Sequence, residues 1–216
     1  MWELPPDFAT TDTARKYQLL GRPKKYSLDY LHKAGEMVAP VRFPLHLLGG
    51  KVYLGDFGLT IRNGTSAPPG PQAPYGFCAP ERFHGIGPSF ASDVWSYMHL
   101  FTLLYLGYRV FYGNGGRDTV FSWFEHLGPM PEQWKGRFFW SNVVEDAWYD
   151  PTMTSDPKRD LAFRIAWLRP ETSQVERGHV LSVMRKGLCY LPEQRITAAE
   201  LLRDPSFIAL MKIYQC

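Results

Sequence analysis

Residues 79–96 read APERFHGIGPSFASDVWS, and this stretch decides the expected fold. Pro80 suits the first turn of a helix, because the amide hydrogen that proline lacks would have no partner within the helix there. Ser92 is expected to cap a second helix that runs to about Leu106. That second helix is hydrophobic on nearly every side, which is typical of a helix in the centre of a core. The stretch therefore predicts a helical domain built around one buried helix.

Two shorter motifs lie before and after this stretch. Asp56-Phe57-Gly58 follows the β-prone run 52–54, and Gln194-Arg195-Ile196-Thr197-Ala198 lies near the end of the chain. Each motif alone is weak evidence, since a tripeptide such as D-F-G occurs often by chance and also suits a surface turn. Because these motifs occur in this order together with the stretch 79–96, the set is much stronger evidence than any one motif alone.

Local patterns predict several further elements. Residues 12–20 form a short amphipathic pattern that Thr11 or Asp12 can cap, with Gly21 at its end. The stretch 63–74 is rich in Gly, Pro and Ser, which is typical of an extended loop. Helical spacing over 180–188 and a capping-box pattern at 197–200 predict the last helices.

On these motifs the chain resembles eukaryotic-type protein kinases over roughly residues 50–210. In that family D-F-G precedes A-P-E with an activation segment between them, and S-D-V-W-S and R-I-T-A segments follow. The resemblance implies a mainly α fold: a protein-kinase C-terminal lobe (C-lobe) with a few short β-strands and without the N-terminal lobe. Residues 1–50 are then an insertion-like segment before the D-F-G strand. Residues 51–212 are a partial kinase domain of activation segment and C-lobe helices.

The resemblance implies a nucleotide-binding role for Asp56, Phe57 and Gly58. Asp56 is expected to coordinate the Mg²⁺ ion that bridges the phosphates of ATP, because a hard cation prefers carboxylate oxygens. Phe57 is expected to pack inward and to set whether Asp56 points at the metal. ATP and Mg²⁺ are thus the cofactors expected for the family.

Three further residues have structural roles by the same resemblance. Glu81 and Arg195 are expected to form a buried ion pair that anchors the activation segment to the last helices. Such a pair fixes geometry more than it adds stability, since both charges lose their hydration. Asp93 is expected to hydrogen-bond the backbone of the catalytic loop.

Other parts of the kinase machinery are absent from the sequence. Before Asp56 there is no G-x-G-x-x-G loop, no V-A-I-K lysine and no H-R-D catalytic loop. Gly113-Asn114-Gly115-Gly116 looks faintly like such a glycine-rich loop, but it follows the buried helix and is not flanked by strands. Gly116-Arg117-Asp118 is not the H-R-D catalytic loop, because it comes after the activation segment and no Asn follows it at the family's spacing. Residues 30–35 look like the end of the helix before H-R-D, but no Asp-containing loop follows, so no catalytic residue is assigned.

Two more features bear on the comparison with kinases. Residues 4–8, 19–23 and 41–44 are similar to an insertion between the catalytic loop and D-F-G in fungal kinases related to the SR-protein kinases. In this interpretation Met1 lies just downstream of the catalytic loop. Ala73 stands where family members have a threonine whose hydroxyl contacts the catalytic aspartate, which argues against full activity.

Composition excludes several classes of protein. A formal net charge of +3 is too small to indicate binding of nucleic acid or a membrane surface. The apolar stretch 94–113 contains polar residues and is expected to be a core helix rather than a membrane span. No signal peptide is visible. Three scattered cysteines suggest neither a disulfide framework nor a zinc site, and they favour an intracellular protein of the cytoplasm or nucleus.

Three functions stay open at this point. The family relationship implies a Ser/Thr protein kinase, but one recognisable metal ligand does not support phosphoryl transfer by this chain alone. The second is a non-catalytic, pseudokinase-like module that binds a protein substrate or partner through the aromatic-rich region 123–140. Ordinary core packing explains those aromatic residues better. The third is a truncated product or gene-model fragment without an independent role.

Overall fold

The structure, a computed structural model, describes residue 1 and residues 3–28, 35–68, 70–72, 74–113, 116–140 and 146–216. Over these residues the chain is mainly helical, with one two-stranded sheet, so the expected mainly α class is confirmed. The contacts within the chain divide it into two compact units, Met1–Thr60 and Ile61–Cys216. The expected division at residue 50 into an insertion and a partial kinase domain stays a prediction.

The first unit has little regular structure. Its elements are α1 (Thr13–Leu20), β1 (Lys25–Ser27) and β2 (Glu36–Val38), and the two strands pair antiparallel. α1 begins as predicted, because the Asp12 carboxylate accepts a hydrogen bond of 2.9 Å from the Arg15 amide. It ends at Gly21, whose φ of 76° is readily adopted only by glycine. None of the described residues of this unit is buried.

The β-prone run 52–54 pairs with the start of the chain. The α-ammonium of Met1 donates to the Tyr53 carbonyl at 2.7 Å, and the Tyr53 amide donates back to the Met1 carbonyl at 2.7 Å. Within this run the structure has a single isolated β-bridge, at Val52, so the expected strand before D-F-G is not formed. The Met1 side chain lies against Gly55, where a Cβ atom would overlap its terminal methyl group.

The second unit contains the other helices and all the buried residues that the structure describes. These helices are α2 (Pro80–Phe83), α3 (Phe90–Leu106), α4 (Gly116–Leu127), α5 (Leu161–Leu168), α6 (Gln174–Gly187), α7 (Ala198–Leu201) and α8 (Pro205–Ile213). α6 packs against α3, α5 and α8. The stretch 63–74 forms neither helix nor strand where it is described, as its composition predicts.

α3 starts earlier than the sequence suggested. Ser89 is the cap, and Ser92 lies inside the first turn, where its hydroxyl accepts a hydrogen bond of 3.1 Å from the Ser89 amide. The expected cap at Ser92 is therefore wrong, because the two serines form a reciprocal capping box. The helix ends at Leu106, as expected, and Gly107 follows with φ of 62°.

Burial of α3 is one-sided. Trp95 and Met98 are fully buried, whereas Tyr97, Leu100 and Leu104 are exposed to solvent. The expectation of a helix surrounded by core thus holds for only part of its circumference. Among the helices formed by described residues, none has the length and apolar character needed to cross a membrane.

The aromatic-rich region 123–140 mostly packs into the core, as the ordinary explanation predicts. Trp123, Phe124, Trp134 and Phe138 are buried, whereas Phe139 is half exposed.

The helices at the end of the chain agree in part with those predicted from the sequence. Thr197 caps α7, but a separate cap at Asp204 opens α8, so the predicted last helix is divided in two.

Candidate functional site

Asp56 has an unusual backbone conformation. Its φ of 65° and ψ of 57° lie in the left-handed region, which aspartate adopts more readily than most residues. The carboxylate is exposed and makes no hydrogen bond or ion pair with any described residue. A Cβ atom at Gly58 would have only one neighbour within 4 Å, the Oδ1 atom of Asp56, at 3.9 Å. The motif is thus an open turn, followed by a short 3₁₀ helix at Phe57–Leu59.

The side chain of Phe57 does not pack inward as expected. It is 61% exposed, and its neighbours Val52 and Leu54 are 63% and 85% exposed. The physical reason is that the unit Met1–Thr60 has no buried residue among those described, so it offers no core that could accept the ring. The direction of Asp56 is therefore not fixed by packing of Phe57 in this chain.

The described residues do not by themselves form a magnesium site around Asp56. Mg²⁺ requires nearly octahedral oxygen coordination and usually takes one or two carboxylates together with waters and phosphate oxygens. Over the described part of the chain no group of three or more His, Cys, Asp or Glu side chains is placed to hold a metal. Asp56 can supply one oxygen ligand, but among the described residues it belongs to no such group of three.

The expected ion pair between Glu81 and Arg195 is present. Two parallel hydrogen bonds of 2.9 Å join the guanidinium to the two carboxylate oxygens, and both side chains are fully buried. Glu81 also accepts a hydrogen bond of 2.8 Å from the hydroxyl of Ser92. This bidentate arrangement is the strongest form of such a pair, because it fixes both distance and orientation.

The remaining donors of Arg195 are used as well. Its guanidinium donates to the carbonyl oxygens of Ala91, Cys189 and Tyr190 at 2.6 to 2.9 Å. The same group lies 5.1 Å from the ring centroid of Trp95. All five N–H groups of Arg195 thus have acceptors, and its guanidinium lies over the ring of Trp95. Through these contacts Arg195 joins α2, the start of α3 and the segment before α7.

Asp93 lies in the first turn of α3 and points toward solvent. Partial burial of its carboxyl group raises its pKa above the usual value. The carboxylate has no partner among the described residues, and the loop expected to hydrogen-bond with it is not part of the sequence. Its expected role stays a prediction.

Arg82 and His84 belong to the same region, and the sequence analysis missed them. Arg82 is buried and donates to the carbonyl oxygens of Pro68 and Gly70 at 2.9 and 2.8 Å, which fastens the loop before α2. His84 is buried as well. A basic residue after A-P-E gives no local sign of burial, so only the packed structure identifies these contacts.

The remaining sequence features give no further site. Gly116-Arg117-Asp118 forms the first turn of α4. Ala73, most of the segment 30–35, and Asn114 and Gly115 of the segment 113–116 lie outside the described residues. No protein-family model matches the chain.

Proposed function

We propose that the chain is the C-lobe part of a serine/threonine protein-kinase domain and that it does not transfer phosphate on its own. The observation that supports this proposal is the buried Glu81–Arg195 pair. It joins the A-P-E and R-I-T-A motifs, whose paired residues are 114 positions apart in the sequence. Chance tripeptides on a helical protein have no reason to meet in a fully buried bidentate contact.

The lack of activity follows from what phosphoryl transfer requires. The reaction needs positioned phosphates, a metal and a base aimed at the substrate hydroxyl. Asp56 is the one recognised ligand, and it lies in an open turn outside any group of three or more ligating side chains among the described residues. ATP and Mg²⁺ belong to the complete domain in this proposal, with a protein as substrate, in the cytoplasm or nucleus.

A second candidate function is a pseudokinase-like module that binds a protein. The observation in its favour is the apolar group of Val52, Leu54 and Phe57, each of which is more than half exposed. Exposed apolar patches mark interaction sites or promote association. A chain that binds no hydrophobic dye, with or without Leu54→Glu, would contradict this candidate.

Phosphate transfer is tested with the full 216-residue chain, ATP labelled at the γ-phosphate, Mg²⁺ and a serine-rich peptide. We expect no label on the peptide or on the chain above a buffer blank, and no difference between the chain and its Asp56→Ala variant. Label that depends on metal and disappears in Asp56→Ala would overturn the proposal of an inactive chain.

A further inference from the structure

The segment 61–66 contains a tight turn whose residues are all exposed to solvent. The amide of Thr65 donates a hydrogen bond of 3.1 Å to the carbonyl oxygen of Arg62, which closes the turn over Asn63 and Gly64. Gly64 has a φ of 81°, a value that the third residue of a type II turn requires and that glycine adopts without strain. The turn thus presents an asparagine directly before a glycine at the surface.

The amide nitrogen of Gly64 makes no hydrogen bond with any described residue. Both hydrogen bonds of the turn come from Thr65, whose hydroxyl also donates to the Arg62 carbonyl oxygen, at 2.7 Å. The carboxamide of Asn63 likewise has no partner among the described residues. A Cβ atom at Gly64 would have no neighbour within 4 Å, so the space beside it is open. No hydrogen bond of either group has to break before the two groups react with each other.

An asparagine that precedes a glycine is chemically reactive for a local reason. The backbone nitrogen of the next residue can attack the side-chain carbonyl carbon and close a five-membered ring, and an intramolecular attack of this kind benefits from proximity. A side chain on the next residue hinders the approach, and glycine has none. Of the three asparagines in the sequence, Asn63 and Asn114 precede glycine and Asn142 precedes valine. Among them, Asn63 is the one that lies within the described part of the chain.

We propose that Asn63 is a site of spontaneous deamidation in the folded protein, with aspartate and isoaspartate as products. The Gly64 nitrogen forms a bond to Cγ of Asn63, the bond from Cγ to the side-chain nitrogen breaks, and ammonia leaves with the proton of the Gly64 amide. Water then opens the resulting succinimide. Attack of water at Cγ leaves aspartate, and attack at the backbone carbonyl carbon leaves isoaspartate, whose main chain runs through the side chain. Water is the one reactant that the protein does not supply.

The products change both the course and the charge of the segment. Isoaspartate adds one carbon to the main chain between Arg62 and Thr65, so the ring closed by their hydrogen bond becomes larger and loses its turn geometry. Either product adds a carboxylate, which lowers the formal net charge of +3 by one unit. Because none of the residues 61–66 is buried, the helices of the second unit keep their packing. The reaction therefore modifies an exposed segment of an otherwise intact fold.

Peptide mapping by mass spectrometry of the full chain tests the site. The chain is incubated in mildly alkaline buffer, which favours loss of the amide proton, and samples are digested with trypsin at intervals. The three asparagines fall on three different peptides, because Arg62, Arg109 and Arg137 precede them. We expect the peptide with Asn63 to gain the mass that replaces an amide by an acid at least about tenfold faster than the peptide with Asn142, whose next residue is stiff and branched at Cβ.

Asn63→Gln is the matched variant, because it keeps the carboxamide but would have to close a larger, six-membered ring. Its peptide should keep its mass over the same period. An isoaspartyl methyltransferase with a labelled methyl donor should label the aged wild-type chain more strongly than the aged variant. Equal mass gain in the peptides of Asn63 and Asn142, or the same gain in Asn63→Gln as in the wild-type chain, would overturn the proposal.

The contribution of the fold is tested by the same incubation in guanidinium chloride. Because the native turn leaves the Gly64 amide without a hydrogen-bond partner, Asn63 should react in the native chain at a rate similar to that in the unfolded chain. A native chain that keeps Asn63 intact while the unfolded chain loses it would show that the fold protects this residue, and it would contradict the proposal.

Discussion

His84 and His99 are buried imidazoles of the second unit, and burial lowers the pKa of each from 6.5 to about 4. For His84, Nδ1 lies 2.7 Å from the Pro80 carbonyl oxygen and Nε2 lies 2.9 Å from the Tyr149 hydroxyl. This arrangement suits the neutral ring, with Nδ1 donating and Nε2 accepting. His99 stacks on the ring of Phe77 at 4.4 Å, and neither of its nitrogens has a hydrogen-bond partner among the described residues.

The pKa values predict the direction of the pH dependence of stability. Between pH 6.5 and about 4 the unfolded chain binds protons at these histidines and the folded chain does not. Their contribution is therefore complete above pH 6.5 and is lost as the pH falls through this window, by at most roughly 3 kcal/mol for each. Urea unfolding at pH 7.5 and pH 4.5 measures the effect.

His99→Phe separates one histidine from the other titrating groups. It keeps an aromatic ring against Phe77 and removes two unpaired nitrogens, so we expect no loss of stability at pH 7.5 and a smaller loss on acidification. His46→Phe is the control, because His46 is exposed. If His99→Phe and the wild-type chain lose the same stability between pH 7.5 and 4.5, the assignment to His99 is wrong.

At the scale of elements, two aspartate caps of the same type lie in different surroundings. Asp204 accepts hydrogen bonds from the amides of Ser206 and Phe207 at 2.9 and 3.1 Å, and it pairs with Lys186 of α6. It is buried, and α8 packs against α6. Asp12 caps α1, which buries no residue.

Removal of the two caps should therefore have unequal effects. Asp204→Ala should lower the free energy of unfolding by about 1–2 kcal/mol, because it removes a cap and leaves Lys186 without its partner. Asp12→Ala should change the global unfolding transition little, since α1 contributes no buried surface. Denaturant midpoints measure both, and equal shifts would contradict this ranking.

At the scale of the whole molecule, buried side chains are concentrated in one unit. Every buried residue that the structure describes lies within Ile61–Cys216, and the described part of Met1–Thr60 has none. Segments with few buried contacts open at low free-energy cost. The first unit is therefore expected to unfold locally while the second stays folded.

Limited proteolysis tests this difference. We expect the first cleavages within residues 1–60, followed by accumulation of a resistant fragment that begins near residue 61, as measured by mass spectrometry. Exposed, weakly packed segments are the usual sites of such cleavage. Initial cleavage within the helices of the second unit, with the first sixty residues intact, would show that the stability is distributed differently.

The sequence predicted local features better than packing. Thr197 was predicted as a cap, and Asp12 was one of two candidates with Thr11, because a cap depends on a few neighbouring residues, although Ser92 was wrongly predicted as the cap of α3. The inward packing of Phe57 and the complete burial of α3 were wrong, because hydrophobicity identifies an apolar side chain but not what covers it. The pair of Glu81 and Arg195 came from the family resemblance, since no local pattern joins positions so far apart.

That pair is the contact on which the account depends, and a double-mutant cycle tests it most directly. Glu81→Ala and Arg195→Ala should each lower the free energy of unfolding by roughly 3–5 kcal/mol, because each leaves a buried charge without its partner. The double variant should lose clearly less than the sum of the two. The control is the cycle for Arg185 and Asp160, an exposed pair at 3.6 Å, with an expected coupling of about 0–1 kcal/mol.

The measurement is the set of urea unfolding free energies for the wild-type chain, the two single variants and the double variant. We expect a coupling of several kcal/mol for Glu81 and Arg195, well above that of the control pair. Additive losses, with coupling no larger than that between Arg185 and Asp160, would mean that the two residues do not meet. The A-P-E and R-I-T-A motifs would then not be joined, and the proposed kinase C-lobe would lose its support.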